Sequence, residues 1–226
     1  MKKAIFSAAM FSIFATAANA QTFSIGAKVG STWNTVSAPS FSGTIDFKTM
    51  TNINFGLVGE VGLTENFSIQ PEINYVQKGF RLNEGTDLTL FGVNLPVGAS
   101  AVTAIKYVDV PILGKYKFNT EGAGFYVFAG PSVGYATGGN LETHAKVIID
   151  FNIASTPIDL DAVNYKRWEV GAVVGGGVEL PIGRAQLFAD VRYSHGFNQV
   201  YEVPIVGAKV TNQAFGLNVG FKVPFN

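Results

Sequence analysis

In its 226 residues the chain balances 16 basic against 16 acidic side chains, so it lacks the basic excess that a nucleic-acid partner requires. It contains no cysteine, which excludes a disulfide framework and a thiolate metal site. Although 47% of it is hydrophobic, no run of about 18 apolar residues follows residue 20, so a membrane could be crossed only by strands.

The chain starts with MKKAIFSAAMFSIFATAANA, residues 1–20, which has the three parts of a secretory signal. Lys2 and Lys3 lead, an apolar stretch runs from Ala4 to Ala17, and Ala18-Asn19-Ala20 forms the cleavage box. Removal of this signal peptide is expected to leave residues 21–226 as a single domain, since no Pro-, Ser- or charge-rich linker divides them. Without Lys2 and Lys3, that mature part holds 14 basic and 16 acidic residues. Its first residue, Gln21, is not the cysteine that a lipid tether at that site requires.

From Thr22 onward apolar and polar residues alternate, which is the period of half-buried strands, and helical spacing is scarce. The first segment, TFSIGAKVGSTWN (22–34), puts Phe23, Ile25, Ala27, Val29 and Trp33 on one face and Ser24, Gly26, Lys28 and Gly30 on the other. The pattern returns in NINFGLVGEVGL (52–63), FSIQPEINYVQK (67–78), AIKYVDVPILGKYKF (104–118) and FYVFAGPSVGYAT (125–137). It continues in YKRWEVGAVVGGGVEL (165–180), AQLFADVRYS (185–194) and TNQAFGLNVGFKVPF (211–225).

Between these eight predicted strands the connections at 64–66, 119–124 and 181–184 are short, and those at roughly 35–51, 79–103, 138–164 and 195–210 are long. Short and long alternate, so every tight turn falls at one end. That asymmetry predicts an all-β fold, an eight-stranded antiparallel transmembrane β-barrel in an up-and-down meander, with short periplasmic turns and long external loops. Closure is required because lipid cannot satisfy an open sheet edge. Eight strands enclose an interior that side chains can fill.

A soluble barrel would alternate in the same way, so charge and glycine must decide which face turns inward. The face bearing Lys28, Glu60, Glu72, Asp109, Lys115, Lys117, Glu179, Asp190, Arg192 and Lys222 also bears many glycines, as a crowded lumen needs. These ten charged residues are the predicted lumen network, a mutually compensating one because unpaired charge in a confined interior is costly. The opposite face is large and apolar through mid-strand. Arg192 turned to lipid would cost roughly 2 to 4 kcal/mol near mid-membrane, which enforces the alternation of LFADVRYS. Two aromatic girdles are predicted on the lipid face: Phe67, Phe118, Phe125 and Phe225 beside the short turns or the terminus, and Trp33, Tyr75, Tyr135, Trp168 and Tyr193 at the opposite ends. Their separation of about 8 to 12 residues spans an apolar band of roughly 25 Å.

FSIGAKVGSTWN, FSIQPEINYVQKGF, YVDVPILGKYKF, FYVFAGPSVGY, GGGVEL, LFADVRYSHGF and FGLNVGFKV together resemble the PorT-type outer-membrane β-barrel family of Gram-negative bacteria, also labelled the outer membrane protein beta-barrel or porin family. The resemblance covers most of the mature chain. It implies an eight-stranded barrel without known catalytic residues, of which a few relatives assist type IX secretion. The chain departs from such barrels at its end, where Asn226 follows the aromatic Phe225.

Few residues suggest chemistry. Ser194 and His195 are adjacent, and adjacent residues on a strand point to opposite faces, so they do not make a nucleophile and base. His144 on the third long connection lacks ligand spacing with His195, and DLDAVN (159–164) lacks the glycine and terminal glutamate of a calcium loop. Gly175-Gly176-Gly177 lies within a strand and not between a strand and a helix, so it is no phosphate loop. No catalytic, cofactor or metal site is predicted.

A four-residue turn at 181–184 would pair Leu180 with Ala185, Gly177 with Phe188 and Gly175 with Asp190, the glycines making room for larger inner side chains. Asp190 and Arg192 are expected to bond mainly across strands. The 64–66 turn sets Glu60 opposite Gln70 and diagonal to Glu72, two acids that need Lys28, Lys115 or Lys117 nearby. With Phe128 and Phe188 also inward, the lumen is expected to be plugged. The expected partners are outer-membrane lipid, the barrel-assembly machinery through the tail Phe215 to Phe225, and a protein partner through the external loops, whose TLFGVNL and AKVIIDFNI have strand character. The expected role is structural or surface-interacting in the outer membrane, with secretion association open; a narrow channel for ions or small solutes and a lipid-modifying enzyme stay open as alternatives.

Overall fold

A computed structural model describes residues 22–37, 47–82, 89–90, 93–94, 99–118, 122–146, 150–162, 165–203 and 208–225. The predicted signal, residues 1–20, lies outside these. The barrel strands are β1 (Thr22–Ser37), β2 (Met50–Gly62), β3 (Phe67–Leu82), β4 (Ala99–Lys117), β5 (Gly124–Lys146), β6 (Trp168–Ile182), β7 (Ala185–Gly196) and β8 (Ala208–Phe225). Each pairs antiparallel with its neighbours in sequence, and β1 pairs with β8, which closes an eight-stranded barrel.

The register fixes its shape. Followed once round the ladder, Phe23 lies opposite Val61, then come Ile69, Gly114, Ala129, Val174, Tyr193, Phe215 and finally Trp33, ten residues further along β1. With a rise of about 3.3 Å per residue and strands about 4.8 Å apart, this stagger tilts the strands by about 40°. Side chains alternate as predicted: Leu187 and Val191 are exposed on the outer wall, whereas Phe188 and Asp190 are buried inside. Midway along the lumen Val58, Leu113, Tyr126, Phe128, Val173 and Phe188 form an apolar cluster.

The β6–β7 turn is tighter than the predicted four residues. Ile182 pairs with Ala185, leaving only Gly183 and Arg184 in the loop, and Gly183 has φ of 60°, the left-handed first position that a two-residue hairpin turn demands. The register therefore shifts by two, with Gly177 opposite Asp190 and Gly175 opposite Arg192. The room left by these glycines is taken by side chains of β5, with backbone carbonyls of β7 equally close. A Cβ on Gly175 would lie 2.4 Å from Phe128 Cζ, and one on Gly177 would lie 2.6 Å from the Tyr126 hydroxyl.

At the far end the strands outrun their predicted limits. β4 and β5 continue to the pair Ala99 and Ala145, Asp150–Ile158 pairs back onto β5, and Phe47–Lys48 pairs with Leu82 and Arg81 of β3. The expected hairpin character of the third long connection is thus present as a sheet built outward from the barrel. A second, short pairing joins Thr89–Leu90 to Val93–Asn94 within TLFGVNL. The β4–β5 register shifts between Lys106 and Tyr107, where Thr137 is the extra residue and its hydroxyl donates to the Lys106 carbonyl at 3.2 Å. Such a bulge twists the strand and changes which side chains face inward, so that Ala136 and then Leu141 are buried. β6 begins at Trp168 and not at Tyr165, because residues 165–167 bond elsewhere: Tyr165 N–H to Leu160, Lys166 N–H to Val200, and the Arg167 carbonyl to the Ala136 N–H. Leu160, Tyr165 and Val200 are buried there, over the outer mouth.

Gly175→Val would force Phe128 from its position and is expected to lower stability by about 1 to 3 kcal/mol, the usual cost of overpacking. Ala172→Val, on the lipid face of the same strand, should leave it nearly unchanged. Urea titration in lipid vesicles, followed by heat-dependent gel mobility, measures both.

Candidate functional site in the barrel lumen

Strand alternation delivers charged side chains into the lumen in three layers. Nearest the short turns, Glu60 of β2 and Glu179 of β6 are bridged by lysines from β4 and β8. Lys115 Nζ donates to Glu60 at 3.1 Å and also to Glu179, and Lys222 Nζ donates to the same two carboxylates. Lys117 Nζ lies 3.0 Å from each, and Ser68 Oγ donates to Glu60 at 2.9 Å. Lys115 and Lys222 are each only 1% exposed. Tyr126 places its ring 4.0 Å beneath the Lys115 ammonium, a further partner for a desolvated cation.

The middle layer centres on Glu72 of β3. Its carboxylate accepts from Lys28 Nζ at 2.5 Å, Arg192 Nη1 at 2.8 Å, Gln70 Nε2 at 2.7 Å and Asn74 Nδ2 at 3.1 Å. Arg192 also forks onto Asp190 through Nε and Nη2, both at 2.9 Å, and Asn218 Nδ2 donates to Asp190 at 2.9 Å. Asp190 and Arg192 therefore bond along their own strand as well as across the lumen: two hydrogen bonds join the pair within β7, and three reach Glu72 and Asn218 on other strands, in keeping with the expected cross-strand bonding. Residues two apart share a face, and the planar guanidinium can serve both carboxylates at once.

The outer layer holds two charges absent from the predicted network. Lys78 of β3 donates to Glu169 of β6 at 2.5 Å and lies 3.8 Å from Asp109 of β4. Asn212 Nδ2 also donates to Glu169, and the hydroxyls of Tyr107 and Tyr165 are bonded at 2.6 Å. Parity signals both additions: Lys78 continues the inward series Glu72, Asn74, Val76, and Glu169 follows the outward Trp168.

All ten predicted lumen residues face inward, and with Lys78 and Glu169 the described lumen holds six basic and six acidic side chains. Neutrality is reached only over the whole length, since the innermost layer has three lysines against two glutamates and the outermost one lysine against two acids. Glu60 and Glu72 fall in different layers, each with its own cations. Between the layers a polar cavity of about 40 Å³ is lined by Asn54, Asn74 and Arg192 among others. Asn54 Nδ2 and Asn74 Oδ1 have no protein partner, and the space suits about one or two waters.

The remaining candidates fall outside this network. Ser194 Oγ faces inward and donates to the Ala214 carbonyl at 3.4 Å. His195, expected at the start of a loop, lies within β7, pointing outward, with its ring near Tyr193 and Phe197. His144 sits on the extension of β5 and not in a loop, and its side chain lies outside the described residues. Part of DLDAVN is described: Asp159 accepts from the N–H groups of Asp161 and Ala162, and Asp161 is clamped by Arg167 at 2.9 and 2.7 Å. Those hydrogen bonds hold the exposed Asp161 carboxyl below the usual carboxylate range. On the outer wall Phe67, Phe118, Phe125 and Phe225 are exposed at one end, and Trp33, Tyr135 and Trp168 at the other. Tyr75 and Tyr193 are half-buried against Phe55 and Phe215, with ring centres 5.1 and 4.9 Å apart.

Glu72→Gln strands Lys28 and Arg192 without their shared anion and is expected to cost about 3 to 5 kcal/mol. Glu72→Leu combined with Arg192→Leu should cost less than the two single changes added together. Guanidinium unfolding of the singles and the double in one detergent gives this coupling directly.

A family model described as "Outer membrane protein beta-barrel domain" matches residues 19–202, well over half of the chain. Comparison with curated proteins gives no match. Among solved structures, Neisserial surface protein A is 13% identical, with 90% of this chain and 97% of that chain covered and a TM-score of 0.49. Outer membrane protein OprG from Pseudomonas aeruginosa is 12% identical, with 92% and 97% covered and a TM-score of 0.47. A major outer membrane protein from Thermus thermophilus is 11% identical, with 90% and 99% covered and a TM-score of 0.47. The closed eight-stranded ladder and the family match over residues 19–202 agree: this chain belongs to the outer membrane protein beta-barrel domain family, and its place is the cell outer membrane.

Proposed function

We propose that this chain is a plugged, non-enzymatic barrel that serves the outer membrane structurally and through its external strands; its PorT-type resemblance implies the barrel without known catalytic residues. The observation that carries this reading is the filled lumen. Three layers of paired charge, the apolar cluster around Phe128 and the buried Leu160, Tyr165 and Val200 succeed one another along the axis. A water-filled pore would need these groups solvated; instead they satisfy one another, and a neutral, desolvated interior resists ion entry. The enzyme reading finds Ser194 and His195 on opposite faces, without the shared geometry that nucleophile and base require.

Interaction then falls to the outer sheet. Among the described residues, Asp150–Ile158 pairs on one side only, with β5, and an extended strand edge of this kind can receive a partner chain through its backbone. Its alternatives, a narrow channel and an inert rim, differ in what they leave measurable.

In planar bilayers the purified protein is expected to show no stable conductance steps of porin size; such steps would overturn the plugged-lumen reading. In whole cells, a photocrosslinker at the exposed Ala162, just beyond this strand and outside the segment trimmed below, is expected to give one discrete adduct. Replacing residues 147–158 by a short turn should abolish that adduct and preserve heat-dependent gel mobility. An adduct unchanged by the trimming would sink the edge-strand reading.

A further inference from the structure

We propose that the outer wall of the barrel holds one phospholipid of the inner leaflet, with an acyl chain in a groove across β6, β7, β8 and β1 and its phosphate against Arg184. The groove has a volume of about 630 Å³ and lies on the lipid-facing side. Two adjoining rows of the ladder line it. Leu180, Leu187, Phe221 and Ala27 stand opposite one another in one row, and Val178 is opposite Ala189 in the next. The depression arises because Ala27 and Ala189 end at a methyl where their neighbours carry leucine, valine or phenylalanine.

The chemistry of the lining selects the occupant. The outward side chains of the groove are hydrocarbon, since Lys28, whose backbone borders it, turns its ammonium into the lumen onto Glu72. Its size falls within the roughly 300 to 1,000 Å³ of small-molecule sites. Leu180 and Leu187 form one lip, three residues either side of the Gly183–Arg184 turn, and Arg184 is exposed. With the short turns periplasmic, as the barrel reading requires, that guanidinium stands at the level of the inner-leaflet headgroups, where it can fork onto a phosphate. A phospholipid supplies both the apolar chain and the anion, in the right order along the membrane normal.

The test uses the full mature protein in nanodiscs of phosphatidylethanolamine and phosphatidylglycerol, the latter carrying a diazirine midway along one acyl chain. Photolabelling at Ala27, Val178 and Ala189 is expected to exceed that at Ile73 and Ile112 on the opposite wall. Ala27→Leu combined with Ala189→Leu fills the groove with apolar side chains and should bring its labelling down to the level of the opposite wall. Arg184→Gln, in an exposed turn, should reduce groove labelling by about fivefold, the factor one basic residue contributes at an anionic headgroup surface. Equal labelling of the two walls, or labelling that survives filling of the groove, overturns the proposal. Crosslinked pairs of chains in place of lipid adducts would also overturn it, by assigning the groove to a second copy. Heat-dependent gel mobility is read on every sample: its absence in the wild-type protein would refute the barrel reading itself, a failure distinct from that of a folded barrel that binds no lipid.

Discussion

Lipid offers a backbone neither donor nor acceptor, and the rest of this molecule is arranged around that fact. An open edge in the hydrocarbon layer would leave N–H and C=O groups unpaired at several kcal/mol each, so β8 must find β1. Closure with a stagger of ten residues sets the strand tilt, and the tilt sets the width of the lumen. At that width side chains from opposite walls touch. Charges directed inward by alternation therefore cannot remain hydrated and must meet counterions, which is why Arg192 of β7 reaches Glu72 of β3 and Lys78 of β3 reaches Glu169 of β6 across the interior.

The value of these ion pairs lies more in specificity than in net stability. A buried pair recovers little more than its desolvation cost, and an apolar replacement of equal shape is often no worse. A strand displaced by one residue, however, would present Arg192 or Lys115 to lipid and Val191 or Tyr116 to the charged lumen. The network thus penalises wrong registers heavily. It also fills the lumen, on which the proposed plugged barrel rests, and the outer sheet and the lipid-facing wall are the surfaces proposed here for meeting other molecules.

Much of this was legible because a strand has a period of two. The inward parity of Asp190 and Arg192 follows from Leu187, Val191 and Tyr193 lying on the other face, and the same counting identifies Lys78 and Glu169 once Glu72 and Trp168 are placed. The β6–β7 turn was harder. Pro181 and Gly183 both signal a turn, yet Pro181 still pairs with Gln186 at the strand end, and only Gly183 is needed to reverse the chain. The bulge at Thr137 was not legible at all, because an extra residue in one strand is defined only against the partner that lacks it.

The amino-acid sequence by itself determined the strand number, the end of the barrel at which the tight turns lie, and the face each residue presents wherever a strand carries no bulge, since all three are local properties of alternation and loop length. Only the tertiary structure decided which charges meet, that Phe128 and Tyr126 of β5 occupy the space left by Gly175 and Gly177, and that Tyr165 closes the outer mouth with Tyr107. Those contacts depend on the stagger accumulated round all eight strands. A two-residue change at one turn moves every partner beyond it, and no local pattern carries that sum.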